Sequence, residues 1–255
     1  MIGKMKISID AMQIKTSTKP LVFNPLEKII ETLETVYPPR RRSPNILIAP
    51  EWFFLSPRRM MYSEKEYQGI MRSLESISLD YPNTLLIPGT IAVEKNGFYR
   101  NTAPIVHNGR SRQYVKRFDG GDVEYAQSKG LRWKPGKAYQ KNIKHPDIID
   151  WKDIRVGIQI CQDHCSRSVS RRVDVHIVVA CGLSSPSSYS VHNLRSDGIL
   201  VLDDGNEPRA MAWCPTYDPV LDEQYLGMRR PSCVNKISYG FVMSWDHIVQ
   251  KRRLT

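Results

Sequence analysis

The sequence contains no long hydrophobic run. Its uninterrupted apolar runs, such as residues 177–180 and 85–87, are only a few residues long, whereas a membrane-spanning helix needs about 20 apolar residues. The first residues also lack the apolar core of a secretory signal peptide. We therefore expect a cytoplasmic protein with no membrane partner.

Cysteine is scarce, and the spacing of the cysteines does not resemble that of a disulfide framework. The five cysteines lie at positions 161, 165, 181, 214 and 233. An odd number without framework spacing favours free thiols in a reducing compartment over disulfides. Closed zinc sites use matched CxxC-like pairs, and no such second pair follows Cys161, His164 and Cys165. The pattern indicates no metal site, and Cys165 is better explained as an apolar filler than as a redox partner of Cys161.

The chain also has no Gly/Ser-rich linker, no internal repeat and no break in composition. Hydrophobic residues make up 41% and charged residues 25% of its 255 residues, which is ordinary for a globular protein. This length suits one large α/β domain with a substantial core. We predict a single domain that spans residues 1–255.

Acidic residues are outnumbered by basic ones. The 37 Lys and Arg against 26 Asp and Glu give a formal net charge of +11, and such basic clusters attract acidic partners. The clusters, for example residues 40–42 and 251–253, are however scattered along the chain. The triplets are not interleaved with the aromatic residues of a single-strand binding groove. We therefore expect a solvated basic surface and no nucleic acid ligand.

Local signals predict an alternation of strands and helices. Asn24-Pro25 with Glu27 is typical of a helix start, and Ser63 with Glu66 forms a second capping box. Apolar residues then recur at helical spacing. Strands are predicted over residues 6–13, 46–49, 84–87, 154–160, 175–180, 199–202 and 210–213. Residues 184–190 read as a loop, and the last forty or so residues give no clear periodic signal.

Two dipeptides indicate a β-meander in the middle of the chain. Asn96-Gly97 and Asn108-Gly109 are both strong signals for two-residue hairpin turns. They predict three antiparallel strands, the third over residues 112–117. Lys116 lies near the end of this third strand, and the polar loop that follows contains Glu124.

Three reactive side chains follow strand-like runs. Glu51 comes after a buried strand, Lys116 ends the meander, and Cys161 follows an alternating strand. Open α/β sheets carry their chemistry at the carboxyl ends of strands. A thiol attacks as thiolate and needs a base, which Glu51 can supply. Lys116 and the backbone N–H of Gln162 can hold the oxyanion that forms at a carbonyl. The pattern points to a cysteine hydrolase.

At these residues the sequence resembles the nitrilase superfamily, the carbon–nitrogen hydrolases. The resemblance rests on Ala-Pro-Glu51-Trp-Phe, Tyr-Val-Lys116-Arg-Phe and Gly157-Ile-Gln-Ile-Cys161-Gln-Asp163. It also includes Tyr99-Arg-Asn101-Thr102 and Trp133-Lys-Pro135-Gly136, and it runs from about Lys6 to Gly182. Each motif is weak alone, whereas the ordered set is specific. The resemblance implies a four-layer α/β/β/α sandwich.

The resemblance also implies a role for each residue. Glu51 is then the general base, Lys116 the oxyanion stabiliser, Cys161 the nucleophile, and Glu124 the second glutamate that helps to position the substrate and the lysine. The implied reaction passes through a Cys161 thioester on a small-molecule amide or carbamoyl substrate, less readily a nitrile. It needs no metal or organic cofactor. A homodimer is a further expectation, because members of the family often form one.

After Gly182 the chain departs from the family pattern. The family has a long helix there, whereas this chain has only the serine-rich segment 184–197. A shortened or remodelled pocket wall follows from this difference. Two alternatives to hydrolysis therefore stay open, a catalytically silent binding module and an acyl transferase that uses the same thioester.

Overall fold

Sixteen strands and four helices make up the described part of the chain. The computed structural model describes residues 4–16, 23–37, 43–55, 61–137, 145–166, 169–187, 193–207, 209–218, 223–237 and 240–250. None of the helices in these ranges is long and apolar enough to cross a bilayer.

Two of the helices are long and start at the predicted caps. In α1 (Pro25–Val36) the Asn24 side chain accepts a hydrogen bond from the Leu26 backbone N–H. In α2 (Glu64–Asp80) Ser63 and Glu66 form a complete capping box. The other two helices, α3 (Asp122–Ser128) and α4 (Gln162–Ser166), are short.

The first sheet has ten strands. In chain order they are β1 (Lys4–Gln13), β2 (Asn45–Ala49), β3 (Tyr62–Ser63), β4 (Thr84–Pro88), β5 (Ile91–Lys95), β6 (Phe98–His107), β7 (Arg110–Val115), β8 (Arg132–Trp133), β15 (Cys233–Ile237) and β16 (Gly240–Gln250). The main path runs β15-β16-β1-β2-β4-β6-β5-β3, and β7 and β8 both pair with β6. Strands β1, β2 and β4 are parallel, whereas β5, β6 and β7 form the predicted antiparallel meander.

The second sheet has six strands. They are β9 (Ile148–Trp151), β10 (Ile154–Ile160), β11 (Val173–Ala180), β12 (Leu194–Asp204), β13 (Arg209–Asp218) and β14 (Glu223–Arg229). Their order in the sheet is β14-β13-β12-β11-β10-β9. Strands β10, β11 and β12 are parallel to one another, so their carboxyl ends lie on the same side of the sheet.

The two sheets pack face to face around one apolar core. Ile7, Ile48 and Ile87 of the first sheet lie in the same buried cluster as Ile158 and Val201 of the second. A second cluster joins the other face of the first sheet to α1 and α2. A third lies on the outer face of the second sheet. The order of layers is therefore helix, sheet, sheet, which confirms the α/β class.

The predicted elements are confirmed with modest changes in their bounds. Strand β7 covers residues 110–115, so Lys116 comes directly after its end, and the segment without a periodic signal contains β14, β15 and β16. The loop predicted at 184–190 has no regular structure over 184–187, and residues 188–190 lie outside the described ranges. The fourth, helical layer and the single domain over 1–255 remain predictions.

Candidate active site

Glu51 lies at the junction of the two sheets. It is the second residue after β2, and its backbone N–H donates to the Ala180 carbonyl at the end of β11, at 3.2 Å. Its own carbonyl accepts a hydrogen bond from the Thr16 hydroxyl at 2.5 Å. Trp52 then adopts a left-handed backbone with φ 65°. These contacts hold the Glu51 side chain in the interior, where it is 1% exposed.

Lys116 is anchored on both sides of its peptide unit. Its N–H donates to the Asn101 carbonyl at 2.9 Å, and its carbonyl accepts the N–H of Gly136 at 2.8 Å. A Cβ at position 136 would lie 2.2 Å from the Val115 carbonyl oxygen, so this close approach requires glycine. The Pro135-Gly136 turn therefore sets the position of the lysine backbone.

Cys161 occupies a sharp turn between β10 and α4. Its φ of 43° lies in the left-handed region, which a non-glycine residue rarely adopts. Its N–H donates to the Val179 carbonyl, and its carbonyl accepts the His164 N–H, both at 2.9 Å. Its Sγ lies 4.0 Å from the Cys181 carbonyl oxygen. Strained strand-to-helix turns of this kind present the nucleophile in α/β-hydrolases.

The ammonium of Lys116 lies between two buried carboxylates. Nζ is 2.9 Å from Oε1 of Glu51 and 2.9 Å from Oδ2 of Asp122. Asn101 donates from Nδ2 to Glu51 at 2.7 Å and to Asp122 at 3.4 Å. The Tyr99 hydroxyl donates to Asp122 at 3.1 Å. The two acids are therefore linked through one lysine and one asparagine.

The structure does not place Glu124 in this group. Glu124 is exposed on α3, and the carboxylate that pairs with Lys116 belongs to Asp122, the first residue of that helix. Two positions along a helix correspond to a rotation of about 200°. When Asp122 faces Lys116, Glu124 therefore faces away. The second-carboxylate position predicted for Glu124 is occupied by Asp122.

Burial and charge set the protonation of these groups. Burial raises the pKa of Glu51, and the positive charge of Lys116 offsets part of this rise. Burial alone lowers the pKa of Lys116, but the charges of Glu51 and Asp122 outweigh it and raise the pKa above its usual range. Lys116 is thus a permanent ammonium. The pKa of Glu51 is raised above that of an ordinary glutamate, which makes its carboxylate a stronger base.

The Cys161 thiol is protonated in the resting site. Burial raises its pKa, and the Glu51 charge raises it further, while Lys116 lowers it. A hydrogen-bonding interaction with the Glu51 carboxylate also favours the thiol form. The sulfur therefore needs a base at the moment of attack, and Glu51 is the acid whose charge and hydrogen bond act on it.

A buried aspartate connects the nucleophile turn to the lysine segment. Asp163 accepts hydrogen bonds from the backbone N–H of Arg117 at 3.0 Å and of Phe118 at 2.7 Å, and from the Tyr114 hydroxyl at 2.6 Å. Asp163 belongs to α4, whereas its donors belong to the end of β7 and the segment after it. The Asp163 carboxylate therefore fixes the position of the Cys161 turn relative to the segment that contains Lys116.

Gly120 makes the approach of the polar loop possible. A Cβ at this position would lie 3.0 Å from the Gln162 Cβ and 3.3 Å from the Lys116 Nζ. The loop thus packs against both the lysine and Gln162, the residue whose backbone N–H is predicted to hold the oxyanion. Larger side chains would displace one of these two groups.

Three residues of the site, Asn101, Asp122 and Asp163, are not among those that the sequence predicts. Asn101 and Asp163 stand inside the quoted motifs, so the motifs were the signal that could have found them. Asp122 follows Asp119-Gly120-Gly121 and had the same acidic character as Glu124. The positive φ of 102° at Gly121 turns the chain immediately before it, and no local pattern reports that direction.

The residues of the zinc alternative have other surroundings in the structure. His164 is bound to Gln159 and to the backbone of Ser187, and Cys165 is exposed on α4. No group of three or more potential ligands lies close together in the described ranges.

Comparisons with known proteins identify the fold. No protein-family model and no curated protein sequence matches this chain. Among solved structures, it is similar to XC1258 from Xanthomonas campestris, a CN-hydrolase superfamily protein, with 15% identity, TM-score 0.53, and coverage of 96% of this chain and 91% of that one. It is also similar to Nit3 from Saccharomyces cerevisiae, a member of the nitrilase superfamily, with 15% identity, TM-score 0.57, and coverage of 95% and 90%.

A third similar structure belongs to a longer protein. It is a glutamine-dependent NAD(+) synthetase from Cytophaga hutchinsonii, with 14% identity and a TM-score of 0.56. The match covers 97% of this chain and 43% of the synthetase. At identities of 14–15%, the similarity to these structures shows a shared fold and gives no information about the roles of individual side chains. The chain therefore has the fold of the nitrilase superfamily, as its sequence motifs predict.

Proposed function

We propose that this protein is a thiol hydrolase that cleaves a non-peptide carbon–nitrogen bond in an amide or carbamoyl compound. The observation that carries the proposal is the convergence of the Glu51 carboxylate, the Lys116 ammonium and the Cys161 thiol at the sheet junction. A base, an oxyanion partner and a nucleophile are the three components that acyl transfer to sulfur requires.

The reaction begins with transfer of the Cys161 proton to Glu51. The sulfur forms a bond to the carbonyl carbon, and the carbonyl π-electrons move to oxygen. Lys116 and the Gln162 backbone N–H stabilise the resulting negative charge. Because the thiol is protonated at rest, Glu51 removes the proton only when a substrate carbonyl is in place for attack. This limits the lifetime of a buried, unpaired thiolate.

Collapse of the intermediate breaks the carbon–nitrogen bond. Protonated Glu51 returns its proton to the leaving nitrogen, which departs as ammonia or an amine, and the acyl group stays on sulfur as a thioester. Glu51 then takes a proton from water as the water attacks the thioester. The sulfur leaves as thiolate and regains that proton, which completes the cycle without a metal or organic cofactor.

Asp122 and Asn101 act on Glu51 and Lys116 rather than on the substrate. Asp122 fixes the lysine ammonium by an ion pair at 2.9 Å. The Asn101 amide donates to the Glu51 oxygen that also binds Lys116. Both are therefore positioning residues, and they hold the base and the ammonium in one geometry through the cycle.

Ammonia release and covalent trapping test the proposal. The purified protein is incubated with a panel of aliphatic and aromatic primary amides, N-carbamoyl amino acids and nitriles. We expect ammonia from at least one amide or carbamoyl compound and an acyl adduct on Cys161 by mass spectrometry. Cys161→Ala should abolish both, whereas the matched variant Cys165→Ala should keep both. Release of ammonia by Cys161→Ala would contradict the proposal.

The same experiment separates the two alternative functions. If adducts form but turn over only when hydroxylamine or another amine is added, the protein is an acyl transferase. If no compound of the panel acylates Cys161 while the folded protein still binds one of them, it is a binding module. Each of these outcomes replaces the hydrolase proposal.

A further inference from the structure

Two buried histidines and a glutamine lie beside the nucleophile turn, outside the catalytic group described above. His164 of α4, His176 of β11 and Gln159 of β10 are each 1% exposed. Both histidines contact the same oxygen, Oε1 of Gln159, His164 through Nδ1 at 3.1 Å and His176 through Nε2 at 3.0 Å. The two rings stand edge to face, with their centroids 5.2 Å apart.

The hydrogen bonds determine which nitrogen of His164 carries the proton. Gln159 donates from Nε2 to the Asp163 carbonyl at 3.3 Å, so its oxygen faces the histidines. That oxygen only accepts, and therefore Nδ1 of His164 must donate. In the neutral ring Nε2 is then a bare acceptor. It accepts the backbone N–H of Ser187 at 2.9 Å.

This last hydrogen bond reaches the segment where the chain departs from the family pattern. The segment Cys181–Ser187 begins at the Cys181 carbonyl, 4.0 Å from the Cys161 sulfur. Asp204 holds its start through the Gly182 N–H at 2.7 Å. His164 holds its other end at Ser187. The segment is thus tied down at both ends beside the nucleophile.

We propose that His164 is a positioning residue that anchors the segment Cys181–Ser187 as one wall of the substrate pocket. His176 supports it by holding Gln159, which sets the tautomer of His164. A histidine suits this role because it donates on one side and accepts on the other while buried. The consequence for substrate binding rests on the proposed hydrolase function, whereas the anchor itself does not.

Burial keeps the His164 ring neutral, which is the form that can accept the Ser187 N–H. It lowers the pKa of His164 to about 4, so the ring stays neutral and its Nε2 stays an acceptor at neutral pH. Burial and the neighbouring His164 lower the pKa of His176 well below its usual range, so a second neutral ring lies beside the first.

Hydrogen exchange of the Ser187 amide tests the anchor without any substrate. His164→Leu removes the acceptor, and we expect Ser187 to exchange about 10-fold faster, as loss of one hydrogen bond implies. His164→Gln keeps a side-chain oxygen that can accept the Ser187 N–H, and should restore part of the protection. The matched variant Cys165→Ala, on the same helix, should leave the Ser187 exchange rate unchanged. Equal exchange in His164→Leu and wild type would overturn the proposal.

A second variant leaves the buried cluster intact in case His164→Leu does not fold. Ser187→Pro removes the N–H donor itself, and it should accelerate exchange of the Gly182 amide, which donates to Asp204 at the other end of the same segment. Unchanged protection of the Gly182 amide would equally overturn the anchor.

Steady-state kinetics test the consequence for binding, with an amide that the wild type hydrolyses. In Ser187→Pro and His164→Leu we expect KM to rise about 5- to 10-fold and kcat to stay within about twofold, because the wall contacts the substrate and not the reacting atoms. Loss of kcat with unchanged KM would contradict the role in binding. Absence of turnover in the wild type would reject the hydrolase alone, since the exchange measurements judge the anchor separately.

Discussion

The charges of neighbouring side chains in the site shift one another's pKa values. One ammonium, that of Lys116, faces the carboxylates of Glu51 and Asp122, so it cannot neutralise both fully. The charge of Asp122 contributes to the raised pKa of Glu51. A carboxylate with a raised pKa is a better base near neutral pH, because efficient proton transfer needs matched pKa values.

Replacement of Asp122 tests which acid supports the lysine. Asp122→Asn removes the charge that fixes the Lys116 ammonium, and we expect kcat/KM to fall about 100-fold, as a misplaced catalytic group typically costs. Glu124→Gln on the same helix should change it less than about twofold, because Glu124 is exposed. The measurement is kcat/KM for an amide turned over by the wild type. A larger loss in Glu124→Gln would reverse the assignment.

The pH profile reports on Glu51. Because burial raises its pKa, the acid limb of kcat/KM should have its midpoint above about 4.3, the value of an ordinary glutamate. The Asn101 amide donates to the charged form of Glu51 and lowers its pKa, so Asn101→Leu should move the midpoint to still higher pH. A midpoint that stays or falls in Asn101→Leu would exclude this effect of the hydrogen bond.

Secondary-structure elements bring the site together through a few connecting contacts. Glu51 and Lys116 follow β2 and β7 of the first sheet, whereas Cys161 follows β10 of the second sheet. The Asp163 carboxylate closes this gap, since it receives two backbone N–H groups of the lysine segment and the Tyr114 hydroxyl. One side chain of α4 therefore sets the distance between the nucleophile and the ammonium.

Asp163→Asn tests this connection. The amide cannot accept at both of its terminal atoms, so at least one buried donor loses its partner, and we expect a loss of about 1–3 kcal/mol in the free energy of unfolding. Tyr114→Phe removes only one of the donors and should cost less, about 1 kcal/mol. Urea unfolding measures both. The connection has no special role if Tyr114→Phe is as destabilising as Asp163→Asn.

At the scale of the whole molecule, the interface between the sheets contains the carboxyl group of Asp203. This residue lies on β12, shares the inward face of Ile199 and Val201 and is fully buried, and among the described residues neither of its oxygens has a hydrogen-bond partner. Burial and the adjacent Asp204 raise its pKa well above the usual range. The folded state therefore binds this proton more tightly than the unfolded state does.

The sign of its effect on stability follows from this shift. Asp203 contributes no penalty below its unfolded pKa, and it destabilises the fold as the pH rises towards the folded pKa. We expect Asp203→Val to stabilise the protein by about 1–3 kcal/mol at pH 7, with a smaller gain at pH 4. Urea unfolding at both pH values measures the difference. The matched variant Asp204→Val should destabilise, because Asp204 accepts the Gly182 and Asn206 N–H groups. A gain from Asp203→Val that does not grow with pH would contradict the shift.

Local chemistry was enough to predict most elements of this chain. The caps at Asn24 and Ser63, the two Asn-Gly turns and the alternation before Cys161 depend on neighbouring residues alone, and the helices and strands they predict are present. The ordered motifs also indicated the superfamily fold and the residues Glu51, Lys116 and Cys161, which the structure brings together. The sequence does not predict strands β14 to β16, because their residues show no clear periodicity. These strands form through pairing with other strands of the two sheets.

The choice between two acids depended on the folded chain. Asp122 and Glu124 are equivalent as sequence, but the turn at Gly121 and the helical rotation of about 200° direct one to Lys116 and the other to solvent. The link between Asp163 and the lysine segment, and the hold of His164 on Ser187, likewise join residues that are more than 20 positions apart. Chain composition and spacing carry no record of such contacts, because side-chain direction over that distance is set by packing.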